Sequence, residues 1–488
     1  DHIHFYLAVR SIIFKLTKGV APDTDQMNAK VREMVKEAIQ SEGVEPLLDN
    51  LLKRAPVTAI STSPYVMSEL PAEKGGAREP PADAEKGLAR LLDRPLWGKR
   101  EVWIETAPSF EPNLKLYEGL RYQPSKPTAL TRSEGSVIDT FIEAVQARGI
   151  KIYFQIQSAI PPGYRVQFGG PIEDDAPRLP DGSTPSQRLD KNGSLASPHI
   201  IGYGEALIKD LLQRYPSIDG IRIDWPEYPP YFLDSIFTDF GPHVEAFANE
   251  NGFDFENIRA KAASQYKRFR ESLTDADLKA YIQSPKKLIS DLQISEDWVR
   301  LKSQIVSNLL LRYRNAMNET GGAQAELIPS AFPEPWNQLS GFDYTANSKI
   351  VDAISSKYYT MHWPMMMMNY SDALMEKNPG LSPELVAKTL CQSFGGTSPT
   401  PSSPAGFSYP EPHENHPVSI QDMIDKLAIV EKESTNAPVW PIAHSYGPTE
   451  DFAKRAEAVY SVSKERLWVN RYAYLSDEKL DALGRIFE

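Results

Sequence analysis

Short runs of β-branched and aromatic residues alternate along the chain with longer stretches in which apolar residues recur every three or four positions. The short runs are typical of strands, and the longer spacing is typical of amphipathic helices. The pattern predicts nine strands, at residues 4–9, 57–61, 101–105, 151–157, 220–224, 326–332, 353–360, 438–444 and 467–472. It predicts helices at residues 25–38, 136–148, 204–214, 296–318, 383–392, 420–433 and 450–464.

The repeated order of strand and helix predicts an α/β fold, a (β/α)8 TIM barrel of eight parallel strands. Nine predicted strands exceed eight places, and one of the first two is the expected surplus strand. Stretches that break the alternation predict insertions at residues 68–95, 158–200, 225–295 and 393–418. We therefore expect a single barrel domain over residues 1–488, with long loops of the kind that carry sites in barrels.

Composition and charge exclude several classes of protein. Lys and Arg number 53 against 65 Asp and Glu, a net charge of -12, and no basic run forms a stripe along which phosphates could lie. A nucleic-acid partner is therefore not expected. No stretch approaches ~18 consecutive apolar residues, so a membrane partner is not expected either. The single cysteine, Cys391, excludes an intramolecular disulfide and a cysteine-based zinc site.

The first residue is Asp1 rather than Met, so a start and a signal peptide could precede it. We expect a soluble protein, either cytoplasmic or exported. The sequence favours no oligomeric state.

One predicted strand, Gly220-Ile-Arg-Ile-Asp224, ends in two opposite charges. Alternation of side chains places Arg222 and Asp224 together on the inner face of the barrel. A guanidinium one step below a carboxylate can hold it ionised and oriented, which suits a nucleophile or a base. The alternative is a structural ion pair. We predict that Asp224 is catalytic, because barrel chemistry lies at the carboxyl ends of the strands.

The Gly-x-Arg-x-Asp pattern resembles the fourth-strand motif of the alpha-amylase superfamily, glycoside hydrolase family 13, in which the Asp is the nucleophile. The wider frame from Arg214 to Tyr228, together with Gly341-Phe-Asp-Tyr344 and Tyr474-Leu-Ser476, more closely resembles the family 10-like glycosyl hydrolase group of barrels. Family 13 itself is not expected. His444-Ser445 and Gln155-Ile-Gln157 stand where that family has a His-Asp pair and an Asp-x-x-x-Asn-His motif.

Hydrolysis of a glycoside ordinarily needs two carboxyl groups. Glu334 follows the carboxyl end of its predicted strand and is the expected proton donor. Glu227, in Trp-Pro-Glu-Tyr, is its rival, and Glu105, at the end of Val-Trp-Ile-Glu, is a third option. A solvated surface carboxylate is an equally good interpretation of each of the three.

Polar and aromatic residues cluster at the predicted strand ends and in the loops that follow them. Amide, imidazole and phenol groups bond to hydroxyls, and aromatic faces stack on sugar rings. Any one of these residues could be a satisfied polar group of the core, but as a set they favour a polyhydroxylated ligand. The predicted substrate-binding residues are Arg222, Trp225, Glu105, Gln155, Gln157, Tyr228, Trp336, Tyr359, His362, His444, Asn470 and Tyr472.

Two histidines and two carboxylates lie within Glu411–His416, but no further His or Cys pattern supports a metal site, and a polar loop is the better interpretation. The sequence thus predicts a glycoside hydrolase that needs neither cofactor nor metal and has an oligo- or polysaccharide as its partner. A carbohydrate-binding barrel without a catalytic pair is the alternative. A third interpretation, a metal-dependent hydrolase that uses the Glu411–His416 loop, would lose activity with a chelator.

Overall fold

The computed structural model describes residues 2–6, 39–40, 43–70, 72–74, 77–78, 103–159, 173–185, 192–321, 324–411, 413–463, 466–470, 472 and 475–487. The strands in chain order are β1 His2–Tyr6, β2 Val57–Thr62, β3 Tyr65–Glu69, β4 Ala77–Arg78, β5 Trp103–Pro108, β6 Lys151–Gln157, β7 Gly220–Asp224, β8 Glu326–Ala331, β9 Ser355–Tyr358, β10 Ile442–His444 and β11 Arg466–Asn470.

The α-helices in chain order are α1 Val44–Arg54, α2 Ala129–Glu134, α3 Ser136–Ala147, α4 Pro198–Arg214, α5 Leu233–Ile236, α6 Pro242–Glu250, α7 Phe255–Glu271, α8 Asp275–Gln283, α9 Pro285–Leu292, α10 Glu296–Glu319, α11 Trp336–Ser340, α12 Tyr344–Asn347, α13 His362–Lys377, α14 Pro383–Phe394, α15 Ile420–Glu433, α16 Thr449–Ser463 and α17 Asp477–Phe487. Short 3-10 helices lie at Ala72–Lys74, Leu114–Tyr117, Glu173–Asp175 and Pro404–Gly406.

The fold is mixed α/β and is organised around a curled parallel sheet. Seven of its strands follow the order β11-β10-β9-β8-β7-β6-β2. β1 pairs in parallel with β2 on one side and with β11 on the other. Between successive strands of this sheet the chain passes through at least one helix, which is the connection that parallel pairing requires.

Prediction and structure agree to the residue at three elements. β6, β7 and α15 have the predicted bounds of 151–157, 220–224 and 420–433. The predicted helix 25–38 and the last residues of predicted strand 4–9 lie outside the described residues.

The surplus strand was predicted wrongly. Both of the first two predicted strands belong to the parallel sheet, whereas β5, the counterpart of predicted strand 101–105, lies in a separate antiparallel sheet of order β3-β5-β4. An apolar run predicts a strand but carries no information on the direction of its partner.

The predicted insertions fall between elements of the parallel sheet and its helices. Residues 225–295 contain α5 to α9, and the described part of 158–200 contains Glu173–Asp175 and the start of α4. The stretch 68–95 overlaps β3 and contains β4, and 393–418 contains Pro404–Gly406. In the ranges that the structure covers, no helix is both long and apolar enough to cross a bilayer.

Inside the curled sheet lies a small apolar core that is separate from the main core under the helices. Strand alternation sends every second side chain to this interior. Arg222 is fully buried there: its guanidinium carbon lies 4.1 Å from the ring centroid of Trp468, and its Nη2 donates to Ser355 Oγ at 3.2 Å. The apolar members are Ala59, Tyr153, Ile328, Ala353, Ile442 and Trp468.

Gly220 lies where β7 approaches β8 at the amino end of the sheet. A Cβ at this position would lie 2.2 Å from the backbone oxygen of Glu326, so only glycine fits. The Glu326 carboxylate accepts from the Tyr153 hydroxyl at 2.6 Å and pairs with Lys151 Nζ at 2.6 Å. Close packing of the two strands therefore explains the glycine that opens the Gly-x-Arg-x-Asp pattern.

Candidate active site

Asp224 ends β7 at the carboxyl edge of the parallel sheet and is partly exposed. Its Oδ2 accepts a hydrogen bond from Gln155 Nε2 at 3.4 Å, and its Oδ1 accepts from the backbone N–H of Trp225 at 3.1 Å. The register of β6 on β7 places Gln157 opposite Asp224. The fold thus brings together the predicted carboxylate, both predicted glutamines and Trp225.

The backbone turns sharply after Asp224. Trp225 has a φ of 53°, a left-handed conformation that costs a residue other than glycine on the order of 1–3 kcal/mol. Ser158 holds this turn in place, because its N–H donates to the backbone oxygen of Asp224 at 3.1 Å and its hydroxyl donates to that of Trp225. The turn aims the Trp225 N–H at the Asp224 carboxylate and leaves the indole half-buried at the edge.

A row of rings leads away from Trp225. The Tyr231 ring centroid lies 6.5 Å from that of Trp225 and 5.5 Å from that of His362, and the Tyr231 hydroxyl shares a 3.0 Å hydrogen bond with His362 Nδ1. Tyr359 continues the row, with centroids 5.6 Å from His362 and 5.1 Å from His444. We call Trp225, Tyr231, His362, Tyr359 and His444 the aromatic row. Tyr231 is not among the predicted substrate-binding residues, although it ends the same aromatic loop as Trp225.

The far end of the aromatic row is polar. Asn470 Nδ2 donates to the Tyr359 hydroxyl at 2.9 Å, and His444 Nδ1 accepts from the backbone N–H of Tyr446 at 3.1 Å. Asn470 Oδ1 and Gln157 Oε1 are buried without a hydrogen-bond partner among the described residues. Buried amide oxygens normally have a partner, so these two are acceptors available to the hydroxyls of a ligand.

Glu334 is a carboxyl group with a displaced pKa. Gln338 Nε2 donates to its Oε1, and Lys426 Nζ, from α15, donates to its backbone oxygen at 3.0 Å. The pKa of Glu334 is raised to about 7, mainly by burial and to a lesser extent by the negative charge of Glu433. The positive charge of Lys426 opposes this shift. A carboxyl group that holds its proton near neutral pH suits a proton donor. These contacts come from the helices around the sheet rather than from the aromatic row.

Replacing Glu334 by Gln is expected to remove a pH-dependent loss of stability. Below about pH 4.5, Glu334 is protonated in both the folded and the unfolded chain. Between about pH 4.5 and 7 it ionises in the unfolded chain but keeps its proton in the folded chain. As the pH rises through this range, the wild type therefore loses up to ~3 kcal/mol of unfolding free energy relative to the variant. Urea unfolding of both proteins at the two ends of this range measures the difference. A difference that does not change with pH would contradict the raised pKa.

Glu227 is held in a buried ion pair. Its Oε1 lies 2.9 Å from Lys357 Nζ, with the two side chains 0% and 1% exposed, and accepts from the Phe332 N–H at 3.0 Å; its Oε2 accepts from Ser340 Oγ at 2.7 Å. Burial raises the pKa of Glu227, and the charge of Lys357 opposes that shift. This carboxylate fastens the loop after β7 to β8 and β9. Lys357 was not predicted; on β9 it alternates with the inward-facing Ser355.

Two residues predicted to bind substrate lie elsewhere. Trp336 is 0% exposed and packs 5.2 Å from Trp363 and 5.7 Å from Phe394, centroid to centroid, so it offers no face to a sugar in this conformation. Glu105 lies on β5, opposite Ser68 in the antiparallel sheet, and not on a strand of the parallel sheet. Both residues lie near strand ends in the sequence. The sequence does not show that the Trp336 ring is buried or that Glu105 belongs to the antiparallel sheet.

Tyr228 and Tyr472 are buried, at 5% and 1% exposure. Burial, and next the charge of Asp239, raises the pKa of the Tyr228 hydroxyl. The pairing of Arg222 with Asp224 stays a prediction. Arg222 donates to Ser355 and lies over the ring of Trp468.

The Glu411–His416 loop does not gather its side chains. His413 and Glu414 are exposed, whereas His416 is buried with its Nδ1 2.7 Å from Thr360 Oγ1. Among the residues whose positions are described, this loop contributes nothing to a metal-ligating group.

Comparisons with known proteins give weak likenesses. A family described as "Type I restriction enzyme HindI endonuclease subunit-like, C-terminal" matches residues 1–61, too small a part of the chain to show membership. A comparison with curated protein sequences finds no match.

Similar solved structures include the catalytic domain of a β-amylase from Paenibacillus polymyxa, with 11% identity, a TM-score of 0.45 and coverage of 98% of this chain and 94% of that chain. A class V chitinase from Pseudomonas fluorescens Pf-5 has 10% identity, a TM-score of 0.35 and coverage of 72% and 86%. A β-galactosidase from Marinomonas ef1 has 10% identity, a TM-score of 0.40 and coverage of 70% and 48%. These structural neighbours are glycoside hydrolases by name, but likenesses this distant leave the activity of this chain to be inferred from its own site.

Proposed function

We propose that the protein is a glycoside hydrolase that acts on an oligo- or polysaccharide, with Asp224 as nucleophile or base. The proposal includes a single (β/α)8 barrel domain with long loop insertions. It is supported by the placement of a partly exposed carboxylate at the carboxyl edge of the sheet, beside the aromatic row and two buried amide oxygens.

A sugar fits the chemistry of this edge. Its hydroxyls would donate to Gln157 Oε1 and Asn470 Oδ1, the two buried acceptors, and would accept from amide or imidazole N–H groups. Its apolar ring faces would stack on Trp225 and Tyr359, both of which are partly exposed. A ligand with many hydroxyls and apolar ring faces matches both kinds of surface.

The proposed proton donor is Glu334, whose pKa is raised to about 7 and which is therefore still partly protonated at neutral pH. Glu227 is the weaker choice because both of its oxygens are engaged and its side chain is 0% exposed. Arg222, one step below Asp224 on β7, is proposed to orient that carboxylate.

The test is release of sugar from a broad panel of oligosaccharides, polysaccharides and aryl glycosides by the intact protein. We expect at least one glycan to be cleaved, with the product carrying a new reducing end. Binding of a glycan without cleavage would replace the proposal with a carbohydrate-binding barrel. If the protein neither binds nor cleaves any glycan of the panel, a carbohydrate function is rejected.

Replacing Trp225 by Ala is expected to weaken binding of the cleaved glycan about tenfold, because a stacking surface beside Asp224 is lost. KM and the Kd of an unreactive product measure the effect. Leu114→Ala is the matched control, since Leu114 is a large apolar residue that is 65% exposed and lies outside the site. Equal affinities of the two variants would mean that no sugar stacks on Trp225.

A further inference from the structure

Two imidazoles lie beside a buried carboxylate in the chain segments that follow β6 and β7. Asp175 ends the 3-10 helix Glu173–Asp175, His199 is the second residue of α4, and His243 is the second residue of α6. One ligand atom of each residue lies within 4.8 Å of those of the other two. Three segments that are distant in sequence thus converge on one point.

The Asp175 carboxylate has one acceptor position left on Oδ1. Its Oδ2 accepts from the Tyr122 hydroxyl at 2.7 Å and from Arg121 Nη1 at 2.7 Å, and its Oδ1 accepts from the Ser197 hydroxyl. Because each carboxylate oxygen can accept two hydrogen bonds, Oδ2 is filled and Oδ1 keeps one position. Oδ1 is also the oxygen that faces His243.

His243 has the placement of a metal ligand. Its Nε2 lies 3.0 Å from Asp175 Oδ1 and 3.5 Å from Asp174 Oδ2, yet this buried atom makes no hydrogen bond with any described residue. The His199 ring is half-buried and its centroid lies 5.7 Å from that of His243. Buried polar atoms are rarely left without a partner. His243 Nε2 faces two carboxylates without forming a hydrogen bond to either, which points to a cation bound by the imidazole and a carboxylate.

We propose that Asp175, His199 and His243 form a binding site for a zinc ion. Two imidazole nitrogens and one carboxylate oxygen favour zinc over calcium or magnesium, which take oxygen ligands. Ligands of tetrahedral zinc lie about 3.3 Å apart, so small side-chain rotations from the present separations suffice. Asp174 and Asp175 supply two negative charges against the single positive charge of Arg121, so the surroundings also favour a divalent cation.

The zinc ion would act as a structural cross-link. It would join the stretch around Asp175, in the 158–200 segment, to the first turns of α4 and α6. Pro198 and Pro242 open those two helices and fix the backbone on which the histidines stand. This role is independent of the proposed hydrolase activity.

The test uses the intact chain, stripped of metal with a chelator and titrated with Co²⁺, which gives visible absorption bands in a tetrahedral site. We expect one Co²⁺ to bind per chain and Zn²⁺ to displace it. The double variant His199→Ala/His243→Ala should bind at least about 100-fold more weakly, while His413→Ala, which removes an exposed histidine elsewhere, should bind as the wild type does.

Thermal unfolding provides a second readout. Excess Zn²⁺ should raise the Tm of the wild type and of His413→Ala but not that of the double variant, because an ion that binds only the folded chain stabilises it. Circular dichroism of the metal-free proteins establishes that the double variant folds; if it does not, His199→Gln, at the half-buried ring, provides the same comparison. A wild type that binds neither ion, or a variant that binds both as well as the wild type does, would overturn the site.

Discussion

Replacing Asp224 by Asn is expected to lower kcat/KM for the cleaved glycan by about two to four orders of magnitude while leaving the fold intact. The amide keeps the shape of the carboxyl group, its oxygen still accepts from the Trp225 N–H, and the Gln155 amide can rotate to accept from the new NH2. The variant loses the negatively charged carboxylate. That group would either attack the sugar as a nucleophile or activate a water molecule as a base, and the transition state would resemble an oxocarbenium ion.

The control for this variant is Glu326→Gln. It makes the same chemical change on the neighbouring strand β8, but at the amino end of the sheet, where Glu326 pairs with Lys151. Steady-state kinetics should show activity within a few-fold of the wild type, since catalysis is expected at the opposite end. Should Asp224→Asn retain a rate close to that of Glu326→Gln, Asp224 would not be the catalytic carboxylate.

The strands that position Asp224 could be predicted from the sequence because their pattern is unambiguous. In Ile221-Arg-Ile-Asp224 the isoleucines alternate with charged residues, and in residues 151–157 apolar residues alternate with Lys, Tyr and Gln. This alternation predicts both strands, whereas the register between them comes from the structure. The same alternation places Lys357 inward on β9, but a lysine inside the curled sheet is unexpected without its partner. That partner, Glu227, comes from a loop whose path the sequence pattern does not specify.

Other parts of the site lay beyond sequence reasoning for a different reason. Trp336 follows a strand, as a sugar-stacking residue would, but whether its ring faces solvent or the core depends on how α11 packs against Trp363. Likewise Asp175, His199 and His243 become neighbours only through the packing of a 3-10 helix on two helix ends. Periodicity predicts elements and faces; it does not predict contacts between irregular segments that are distant in sequence.

Replacing Lys357 by Met is expected to lower the free energy of unfolding by ~3–5 kcal/mol, because it leaves the fully buried Glu227 carboxylate without its counter-charge. Two hydrogen bonds, from the Phe332 N–H and the Ser340 hydroxyl, remain but do not neutralise the charge. Urea unfolding at neutral pH measures the loss. Lys267→Met is the matched control: Lys267 is exposed on α7, and its replacement should change stability by no more than about 0.5 kcal/mol.

The double variant Glu227→Gln/Lys357→Met separates the effect of charge from that of packing. The double variant removes both charges of this ion pair and should be more stable than Lys357→Met alone. The Gln side chain can accept from the Phe332 N–H and donate to the Ser340 hydroxyl. Because burial already raises the pKa of Glu227, loss of the lysine favours protonation of this carboxyl further, so the deficit of Lys357→Met should shrink as the pH falls. A double variant as unstable as the single one, with no dependence on pH, would mean that Lys357 stabilises the fold by filling space and not by neutralising Glu227.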